Sequence, residues 1–518
     1  MNAIVSAKHK VVAVPDQPIF RQIFAGVFKE VTYNGNVMLL IPHGEQETVF
    51  LRNNGLDVPA PIVSQYDWEG GSPFGIQKLT AALMTTCPRA YVLNGMGTGK
   101  TKSALWAWRY LNRKSYAQKL LVLAPLSTLS FTWAREIFAT LPGIKCQVLH
   151  GDKVKRLKRL ADTDADIYII NHDGLEVIAD ALSHRTDIDA LCIDELAVYR
   201  NGSANRTKLV RKIAARMKWV WGMTGSPTPN APTDAWGQCT VVTPHTVPKY
   251  FGRFRDAVMT KVSDFRWAPK PFALDHVYGV MQPAVRFTLD DVIELPDVVE
   301  RTIDVELGTK QKQVYQVMER EAAVMYGTQQ IDAMNAGAVL SKLLQISTGY
   351  VYTRNNEVVT LDNTDRLDTL VDHIQSSDNK VIVFAPFKHA LEGIKSRLDQ
   401  EGISNMVVSG DTPQGQRDTI FHAFQNTPEP RCIVAHPQCM SHGITLTAAD
   451  TIIWFAPITS LETFEQANAR IRRIGQKHKQ LVLMLQGTKA ERQMYALLRK
   501  KQKVQDMLLQ MFAEGTDG

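Results

Sequence analysis

Short apolar segments alternate with helical patterns of polar and apolar residues along most of the chain. The segments are rich in Val, Ile and Leu, which is typical of buried parallel strands joined by helices. They form two groups, one ending near Thr240 and the other beginning near Val381: AYVLN, LLVLAP, IYIIN, ALCIDE and WVWGMTG, then KVIVFAP, NMVVSG, RCIVAH, TIIWFAP and LVLMLQ. The pattern predicts an α/β protein with two doubly wound, parallel-sheet lobes.

The regions outside the two groups have different patterns. Residues 309–346 lack proline and predict a helical insertion, and Pro283–Pro296 predicts a crossover segment before it. Residues 1–70 carry apolar runs separated by NG, HG and NNG, which favours a small β-rich or mixed module. Residues 499–512 predict an amphipathic helix, for which bracing the second lobe is favoured over binding a partner.

The chain length is consistent with several domains, because 518 residues exceed what one hydrophobic core holds. We predict a small N-terminal accessory module (1–70) and a first lobe (71–285). A linker with the helical insertion (286–360) and a second lobe ending in the brace helix (361–518) follow.

Composition narrows the class of protein only slightly. With 45% hydrophobic and 21% charged residues the chain is an ordinary globular protein, and its net charge of +7 is compatible with nucleic acid without requiring it. The six cysteines form no CxxC pair, which argues against a zinc site and a disulfide framework. No apolar run reaches the ~20 residues of a membrane helix, and no signal peptide is visible. We expect a cytoplasmic protein that does not use a membrane.

The sequence GMGTGKT, Gly95–Thr101, lies between a predicted strand and a predicted helix. This arrangement points backbone N–H groups and a helix N-terminus at phosphate. Lys100 is expected to neutralise the β- and γ-phosphates of ATP and Thr101 to hold Mg²⁺. The strict pattern would place glycine at position 94, where this chain has Asn94. The predicted phosphate-contacting residues are Gly95, Gly97, Thr98, Gly99, Lys100 and Thr101.

Two further motifs follow later strands of the first group. Asp194 and Glu195 end ALCIDE, and carboxylates at the carboxyl end of a parallel strand face the ligand crevice. Asp194 would orient Mg²⁺ through its water shell, and Glu195 would activate the attacking water. Thr224–Pro227 follows WVWGM as a hydroxyl-rich turn that would sense hydrolysis. The alternatives are a plain acidic surface turn and a simple strand exit.

The second group ends with QANARIRRIGQ, residues 466–476. Arg470 and Arg473 are three residues apart and would share one helix face, whereas Arg472 lies off that face. Guanidinium groups from a second lobe are suited to stabilising charge on a transferring phosphoryl group. The alternative is a basic surface helix. The basic stretch Lys153–Arg159 is equally compatible with phosphate contact and with a solvated helix face.

In this order, the motifs resemble those of Swi/Snf-type superfamily II DNA helicases of viral or bacterial type, including annealing and branch-migrating motors, over about residues 72–500. SPFGIQ is similar to the adenine-reading motif, so the resemblance implies that Gln77 contacts the base, with Gly443 and Gln466 also at the nucleotide. The closing RIGQ separates this family from RNA-type helicases. The resemblance implies that both parallel-sheet lobes are RecA-like. The resemblance implies nucleic-acid contacts at Pro125, Trp133, Lys153, Arg156, Asn171, Thr224, Ser226, Gly410, Arg417 and Thr447.

The sequence therefore predicts an ATP- and Mg²⁺-dependent DNA helicase or translocase. We expect a monomer that grips the backbone of double-stranded, forked or branched DNA regardless of base sequence. An RNA helicase and a non-hydrolysing DNA-binding regulator are the alternatives; RIGQ argues against the first, and the intact Lys100, Asp194 and Glu195 against the second. The motifs are equally compatible with strand separation, reannealing and branch migration.

Overall fold

A computed structural model of the chain describes residues 3–263, 266–291, 295–327, 333–352, 357–440, 445–473 and 475–514. It divides into two units. One unit comprises Met1–Val292 with Gln505–Gly518, and the other comprises Ile293–Val504. No helix in the described ranges is both long and apolar enough to cross a membrane.

The first unit is built on a sheet of seven parallel strands. Successive residues along its strands are buried on opposite faces: Leu121 packs in one hydrophobic cluster, and Leu120 and Val122 in the other. Because these strands are buried on both faces, their sequences are nearly continuous runs of apolar residues. In spatial order the strands are Ala284–Val285, Arg89–Val92, Trp219–Met223, Ile188–Asp194, Lys119–Ala124, Ile167–Asn171 and Cys146–Val148.

Helices cover both faces of this sheet, and a small module precedes it. The module is a four-stranded antiparallel sheet, in the order Ile4–Ser6, Val11–Pro15, Asn36–Pro42 and Lys29–Tyr33. A separate antiparallel hairpin pairs Met259–Ser263 with Arg266–Pro269. The helices of the unit are Pro18–Ile23, Glu45–Asn53, Pro61–Gln65, Gly75–Thr86, Lys100–Arg113, Arg135–Thr140, Lys153–Leu160, Leu175–Ser183, Asn205–Ala214, Asp234–Val242, Phe251–Val258 and Ala273–Val280.

The second unit contains a sheet of six parallel strands. Ile382 and Val383 again pack in different clusters on the two faces. In spatial order the strands are Val298–Asp304, Gln480–Gln486, Ala449–Trp454, Lys380–Phe384, Cys432–Ala435 and Asn405–Val408, and a small hairpin pairs Tyr350–Tyr352 with Val358–Thr360. The helices that begin in this unit are Thr309–Gly327, Ala333–Thr348, Thr364–Gln375, Lys388–Gln400, Gln414–Asn426, Leu461–Asn468 and Lys489–Glu514.

The predicted fold class is confirmed, because every apolar segment of the two groups forms a strand of one of the two parallel sheets. The sequence pattern missed some of the edge strands. Ala284–Val285 lies within the segment predicted as a crossover and pairs with Arg89–Val92. Val298–Asp304, which the pattern left unassigned, pairs with Gln480–Gln486. These strands were missed because they are short or exposed, and their pairing is set by distant residues rather than by local hydrophobicity.

Candidate active site

The glycine-rich loop connects the strand Arg89–Val92 to the helix that begins at Lys100. Gly97 and Gly99 have left-handed backbone angles, with φ of 77° and 81°. A side-chain carbon on Gly99 would lie 2.0 Å from the Gln77 amide, and one on Gly97 would lie 2.9 Å from Leu289. Both positions therefore require glycine, for conformation and for space.

Polar side chains hold this loop in shape. Lys100 Nζ donates hydrogen bonds to the carbonyl oxygens of Asn94 and Gly95, at 2.9 and 3.1 Å. The Thr98 hydroxyl also donates to the Gly95 carbonyl, at 2.8 Å. The Lys100 ammonium group therefore lies at the loop that precedes its own helix, where a P-loop lysine meets phosphate.

Gln77 lies against the same loop. It is buried, and its Nε2 donates to the Thr98 carbonyl at 3.1 Å. Its Oε1 accepts a hydrogen bond from the Phe74 N–H at 3.0 Å, at the start of the helix Gly75–Thr86. Gln77 thus joins the start of its own helix to the loop.

Asp194 ends the central strand Ile188–Asp194. Its Oδ2 accepts a hydrogen bond from the Trp133 indole N–H at 3.0 Å, and its Oδ1 accepts one from the Glu195 N–H at 3.2 Å. Burial raises the pKa of Asp194, while the Trp133 hydrogen bond and the positive charge of Lys100 lower it. The fold thus brings Lys100 and Asp194 within electrostatic reach of each other, as expected for one phosphate and metal site.

Glu195 follows Asp194 with a left-handed backbone, at φ 53°. This conformation is uncommon for a residue with a side chain and marks strained positions that the surrounding fold must hold in place. The chain turns sharply at Glu195 into the short helix Leu196–Tyr199.

The structure contradicts the predicted DNA contact at Trp133. The side chain is fully buried within the π-helical segment Leu129–Ala134. A buried indole N–H needs a hydrogen-bond acceptor, and here the acceptor is Asp194. Trp133 therefore belongs to the support of the acidic motif.

The hydroxyl-rich turn lies beside the phosphate loop. The Thr224 N–H donates to the Val92 carbonyl at 3.0 Å, in the strand that leads into the loop. The Thr224 hydroxyl accepts a hydrogen bond from the Ser226 N–H at 3.1 Å. Thr224 and Ser226 are both buried, so neither hydroxyl lies on an open surface.

The cations of the basic helix Lys153–Leu160 differ in their surroundings: some are exposed to solvent, and others are hydrogen-bonded to nearby protein groups. Lys153 is exposed, whereas the Arg156 guanidinium is half-buried and donates to Asn171 Oδ1 at 3.0 Å. Arg156 also donates to the carbonyl oxygens of Leu149 and Gly151. Lys153 is thus available to solvent, while Arg156 and Asn171 form one fixed polar pair. Pro125 is half-buried directly after the strand Lys119–Ala124.

The arginine motif of the second unit lies beyond a helix. The helix Leu461–Asn468 ends before Arg470, so the expectation that Arg470 and Arg473 share a helix face is wrong. The Asn468 side chain accepts a hydrogen bond from the Trp454 indole at 2.9 Å, which fixes the point where the chain turns. Gln466 is buried within the helix, and its Nε2 lies 3.4 Å from Glu462 Oε1.

The two arginines have different surroundings. Arg470 is buried, with 2% of its surface exposed, and Arg473 is half-buried. The Arg473 Nε donates to the Ala469 carbonyl at 3.3 Å, and burial lowers the pKa of Arg473 to about 10. Arg472 between them is exposed. The turn therefore directs the two candidate arginines inward and the third outward.

The remaining predicted contacts of the second unit lie in loops. The Arg417 guanidinium donates to the carbonyl oxygens of Ser409, Gly410 and Thr412 at 3.0, 3.2 and 2.8 Å, so it organises the loop that contains the exposed Gly410. The half-buried Thr447 accepts a hydrogen bond from Gln425 at 3.1 Å. Gly443 lies outside the described residues.

Asn94 is a site residue whose role the sequence did not reveal. It is buried, with 2% of its surface exposed. Its Nδ2 donates to Thr80 Oγ1 at 2.8 Å, and its Oδ1 accepts from the Phe287 N–H at 2.9 Å. The strict phosphate-loop pattern has glycine at this position, and the replacement by Asn94 was the feature of the sequence that could have indicated a role.

The donor set suits a nucleotide with Mg²⁺. Among the residues that the structure describes, no group of three or more His, Cys, Asp or Glu side chains is arranged to hold a metal ion. Nucleotide-bound Mg²⁺ does not need such a group, because one or two protein oxygens and the phosphates suffice. The half-buried Thr101, in the first helical turn, and Asp194 supply those oxygens next to a glycine-formed loop.

Two family models match the chain. The SNF2-related domain matches residues 86–350, and the Helicase conserved C-terminal domain matches residues 365–475. The first model covers the glycine-rich loop, the acidic pair and the hydroxyl-rich turn. The second covers the arginine motif up to Gly475.

Relatives of this chain come from phage, bacterial and animal sources. It is 27% identical over 420 residues to "Putative protein p41" of Acyrthosiphon pisum secondary endosymbiont phage 1, covering 77% of this chain and 88% of that protein. It is 25% identical over 395 residues to "Uncharacterized ATP-dependent helicase MG018" of Mycoplasma genitalium, covering 74% of this chain and 36% of the helicase. The Xenopus tropicalis "SWI/SNF-related matrix-associated actin-dependent regulator of chromatin subfamily A-like protein 1" is 23% identical over 465 residues, with 86% of this chain and 46% of that protein covered. The chain thus spans less than half the length of the latter two relatives.

A solved structure, "Sulfolobus solfataricus SWI2/SNF2 ATPase core in complex with dsDNA", is 20% identical and aligns over 87% of this chain and 96% of that chain with a TM-score of 0.40.

Proposed function

Because this chain belongs to the SNF2-related family of superfamily II helicases and is a DNA-dependent ATPase, we propose that it couples ATP hydrolysis to movement along, or remodelling of, duplex or branched DNA. Relatives named as an ATP-dependent helicase and a chromatin regulator are compatible with such a motor.

The observation that carries the proposal is the arrangement around Asp194. Its carboxylate accepts the Trp133 indole N–H and lies within electrostatic reach of Lys100, whose ammonium group bonds to the phosphate loop. A cation, a carboxylate and a glycine-formed loop at the carboxyl ends of parallel strands are the parts that ATP hydrolysis requires.

The candidate site residues of the first unit have distinct roles in this proposal. Lys100 binds and orients the β- and γ-phosphates, Glu195 accepts the proton of the attacking water, and Gln77 contacts the adenine. When bound, Mg²⁺ neutralises charge on the phosphates, and the Thr101 hydroxyl and Asp194 carboxylate would hold it. Thr224 and Ser226 lie beside the loop and sense its occupancy.

The second unit supplies positive charge in this proposal. Arg470 and Arg473 stabilise the negative charge that develops on the transferring phosphoryl group. The proposal keeps the division into an accessory module (1–70), an ATP-binding lobe (71–285), a linker with a helical insertion (286–360) and a C-terminal lobe (361–518).

The DNA track is proposed to be held mainly through its phosphates. The Lys153 side chain is exposed to solvent, so it is suited to contact a DNA phosphate at the protein surface. Arg417 and Gly410 belong to one ordered loop of the second unit, held by the Arg417 hydrogen bonds. Contacts of this kind are independent of base sequence, so the motor is expected to accept scrambled DNA equally well.

ATPase rates with different nucleic acids test this proposal. Single-stranded, double-stranded, forked and four-way DNA and RNA of matched length are compared at several salt concentrations. We expect stronger stimulation by duplex or branched DNA than by RNA. Apparent affinity for duplex should fall with salt, with a log–log slope of about −0.9 per phosphate neutralised.

Lys100→Ala is the control variant, because it removes the charge that binds phosphate and should abolish hydrolysis without unfolding the protein. Stronger stimulation by RNA would favour an RNA helicase. Nucleic-acid binding with no hydrolysis under any condition would favour the non-hydrolysing regulator.

A further inference from the structure

The segment that leads from the first unit toward residue Ile293 runs alongside the phosphate loop. The N–H groups of Tyr91, Leu93 and Gly95 donate to the carbonyl oxygens of Pro283, Val285 and Phe287, at 2.9, 2.8 and 2.8 Å. The pairing therefore continues past the strand Ala284–Val285 into the loop itself. We call residues 283–291 the connecting segment.

Side chains of the connecting segment also contact the loop. Arg286 Nη1 donates to the Leu93 carbonyl at 2.5 Å. The Leu289 side chain lies so close to Gly97 that an added carbon there would be 2.9 Å from it. The connecting segment thus lies against Gly95 and Gly97, the first two glycines of the loop.

Asn94 joins three elements at this place. Its Nδ2 donates to Thr80 of the helix Gly75–Thr86, and its Oδ1 accepts from the Phe287 N–H. Its own carbonyl accepts from Lys100 Nζ. Because Asn94 is buried, replacing it with glycine would leave the Thr80 hydroxyl without its donor and the Phe287 N–H without an acceptor.

We propose that Asn94 is a positioning residue that couples the phosphate loop to the connecting segment, so that nucleotide binding is transmitted to the chain connection between the two units. The inference rests on the proposed function, because it takes the loop to be the nucleotide site. Asn94→Gly would restore the strict phosphate-loop pattern. We nevertheless expect this variant to lose the coupling between the phosphate loop and the connecting segment. The loop would keep its glycines and its lysine but would lose the side-chain hydrogen bond that joins Asn94 to the Phe287 N–H of the connecting segment.

Hydrogen exchange of the full chain, with and without ADP and Mg²⁺, tests the coupling without reference to hydrolysis. In the wild type we expect ADP to slow exchange in peptides covering residues 283–291 as well as 93–101. In Asn94→Gly, exchange of 283–291 should be about tenfold faster without ADP, as for the loss of one buried hydrogen bond. ADP should then protect 93–101 but not 283–291.

Two further variants separate coupling from folding. Asn94→Asp keeps the acceptor for the Phe287 N–H but cannot donate to Thr80, whose hydroxyl donates to the Ile76 carbonyl. It should therefore restore the protection of 283–291 that depends on the Phe287 bond. Thr80→Val removes the other partner and should weaken the protection. Thr85→Val is the matched control: it is a fully buried threonine of the same helix, and its hydroxyl donates to the Ala82 carbonyl of that helix rather than to the phosphate loop.

Equal ADP protection of 283–291 in the wild type and Asn94→Gly would overturn the inference, and so would an Asn94→Asp variant that behaves like Asn94→Gly. Loss of protection in Asn94→Gly with recovery in Asn94→Asp would support it. Because ADP binding is measured without DNA, a protein that shows the coupling but no DNA stimulation would contradict the proposed function and still support this inference.

Discussion

The indole N–H of Trp133 donates a hydrogen bond to Oδ2 of Asp194 at 3.0 Å. This bond joins the segment after the strand Lys119–Ala124 to the acidic motif. Hydrogen bonds to charged groups contribute about 1.5–3 kcal/mol, so the Asp194 carboxylate depends on Trp133 for its orientation. We expect Trp133→Phe, which keeps the ring and removes the N–H, to raise the Mg²⁺ concentration needed for nucleotide binding by about 10- to 100-fold. Titration of Mg²⁺ against a fluorescent ADP analogue measures this.

A second tryptophan of the same unit provides the control. Trp108 is fully buried, and its indole N–H has no hydrogen-bond partner within the described part of the chain. Trp108→Phe removes a similar volume without breaking such a bond, so the Mg²⁺ requirement should stay unchanged. An equal rise in both variants would show that packing, and not the bond to Asp194, controls the site.

Glu195 is expected to act as the general base. Glu195→Gln keeps the shape of the side chain in its left-handed turn and removes the basic carboxylate. ATP binding should persist, and hydrolysis should fall by about 10²- to 10⁴-fold. Nucleotide affinity and single-turnover rates distinguish the two effects, and a collapse of affinity would instead mark Glu195 as structural.

The arginines of the second unit are expected to act on the transition state. Arg470→Ala and Arg473→Ala should each lower hydrolysis, by up to about 10³- to 10⁵-fold, while DNA binding without nucleotide changes much less. Arg472→Ala is the matched control, because Arg472 lies between them and is exposed. If DNA affinity and turnover fell together in Arg470→Ala, the residue would be assigned to DNA binding.

We expect His43 to make the stability of the N-terminal module sensitive to pH. It is buried, with Nε2 at 2.8 Å from the Pro59 carbonyl and Nδ1 at 3.3 Å from Gln65 Nε2. Burial lowers its pKa below the usual 6.5, although the Pro59 hydrogen bond and the charge of Glu45 oppose this shift. The unfolded state therefore binds a proton more readily than the folded state, so stability is lost as pH falls below 6.5.

Thermal unfolding between pH 7.5 and 5.5 measures this loss. The decrease in Tm should be smaller in His43→Gln, which cannot titrate, than in the wild type. Hydrogen exchange of peptides covering residues 43–66 should accelerate over the same range in the wild type. An identical pH dependence in both proteins would assign the effect to other groups.

Local chemistry determined the main elements of this protein. A run such as Leu120–Ala124 has to be buried on both faces, and helices between such runs force the strands to be parallel. The glycines at 97 and 99 were recognisable because GMGTGKT lies between a predicted strand and a predicted helix, and the left-handed backbone found there strongly favours glycine. Asp194 and Glu195 were recognisable because they end a buried strand, where the chain must turn toward solvent or ligand.

Tertiary structure alone decided which partners the key side chains have. Trp133 and Asp194 are 61 residues apart, and Asn94 and Phe287 are 193 apart. No local pattern specifies such pairs, so the burial of Trp133 and the attachment of Asn94 were not predictable. The end of the helix before Arg470 was also set at a distance, by the hydrogen bond between Trp454 and Asn468. Residue types and their spacing thus determined the strands and the phosphate loop. The packing of distant segments determined which partners the buried polar groups have. The physical reason is that a buried polar group needs a hydrogen-bond partner wherever the fold places it.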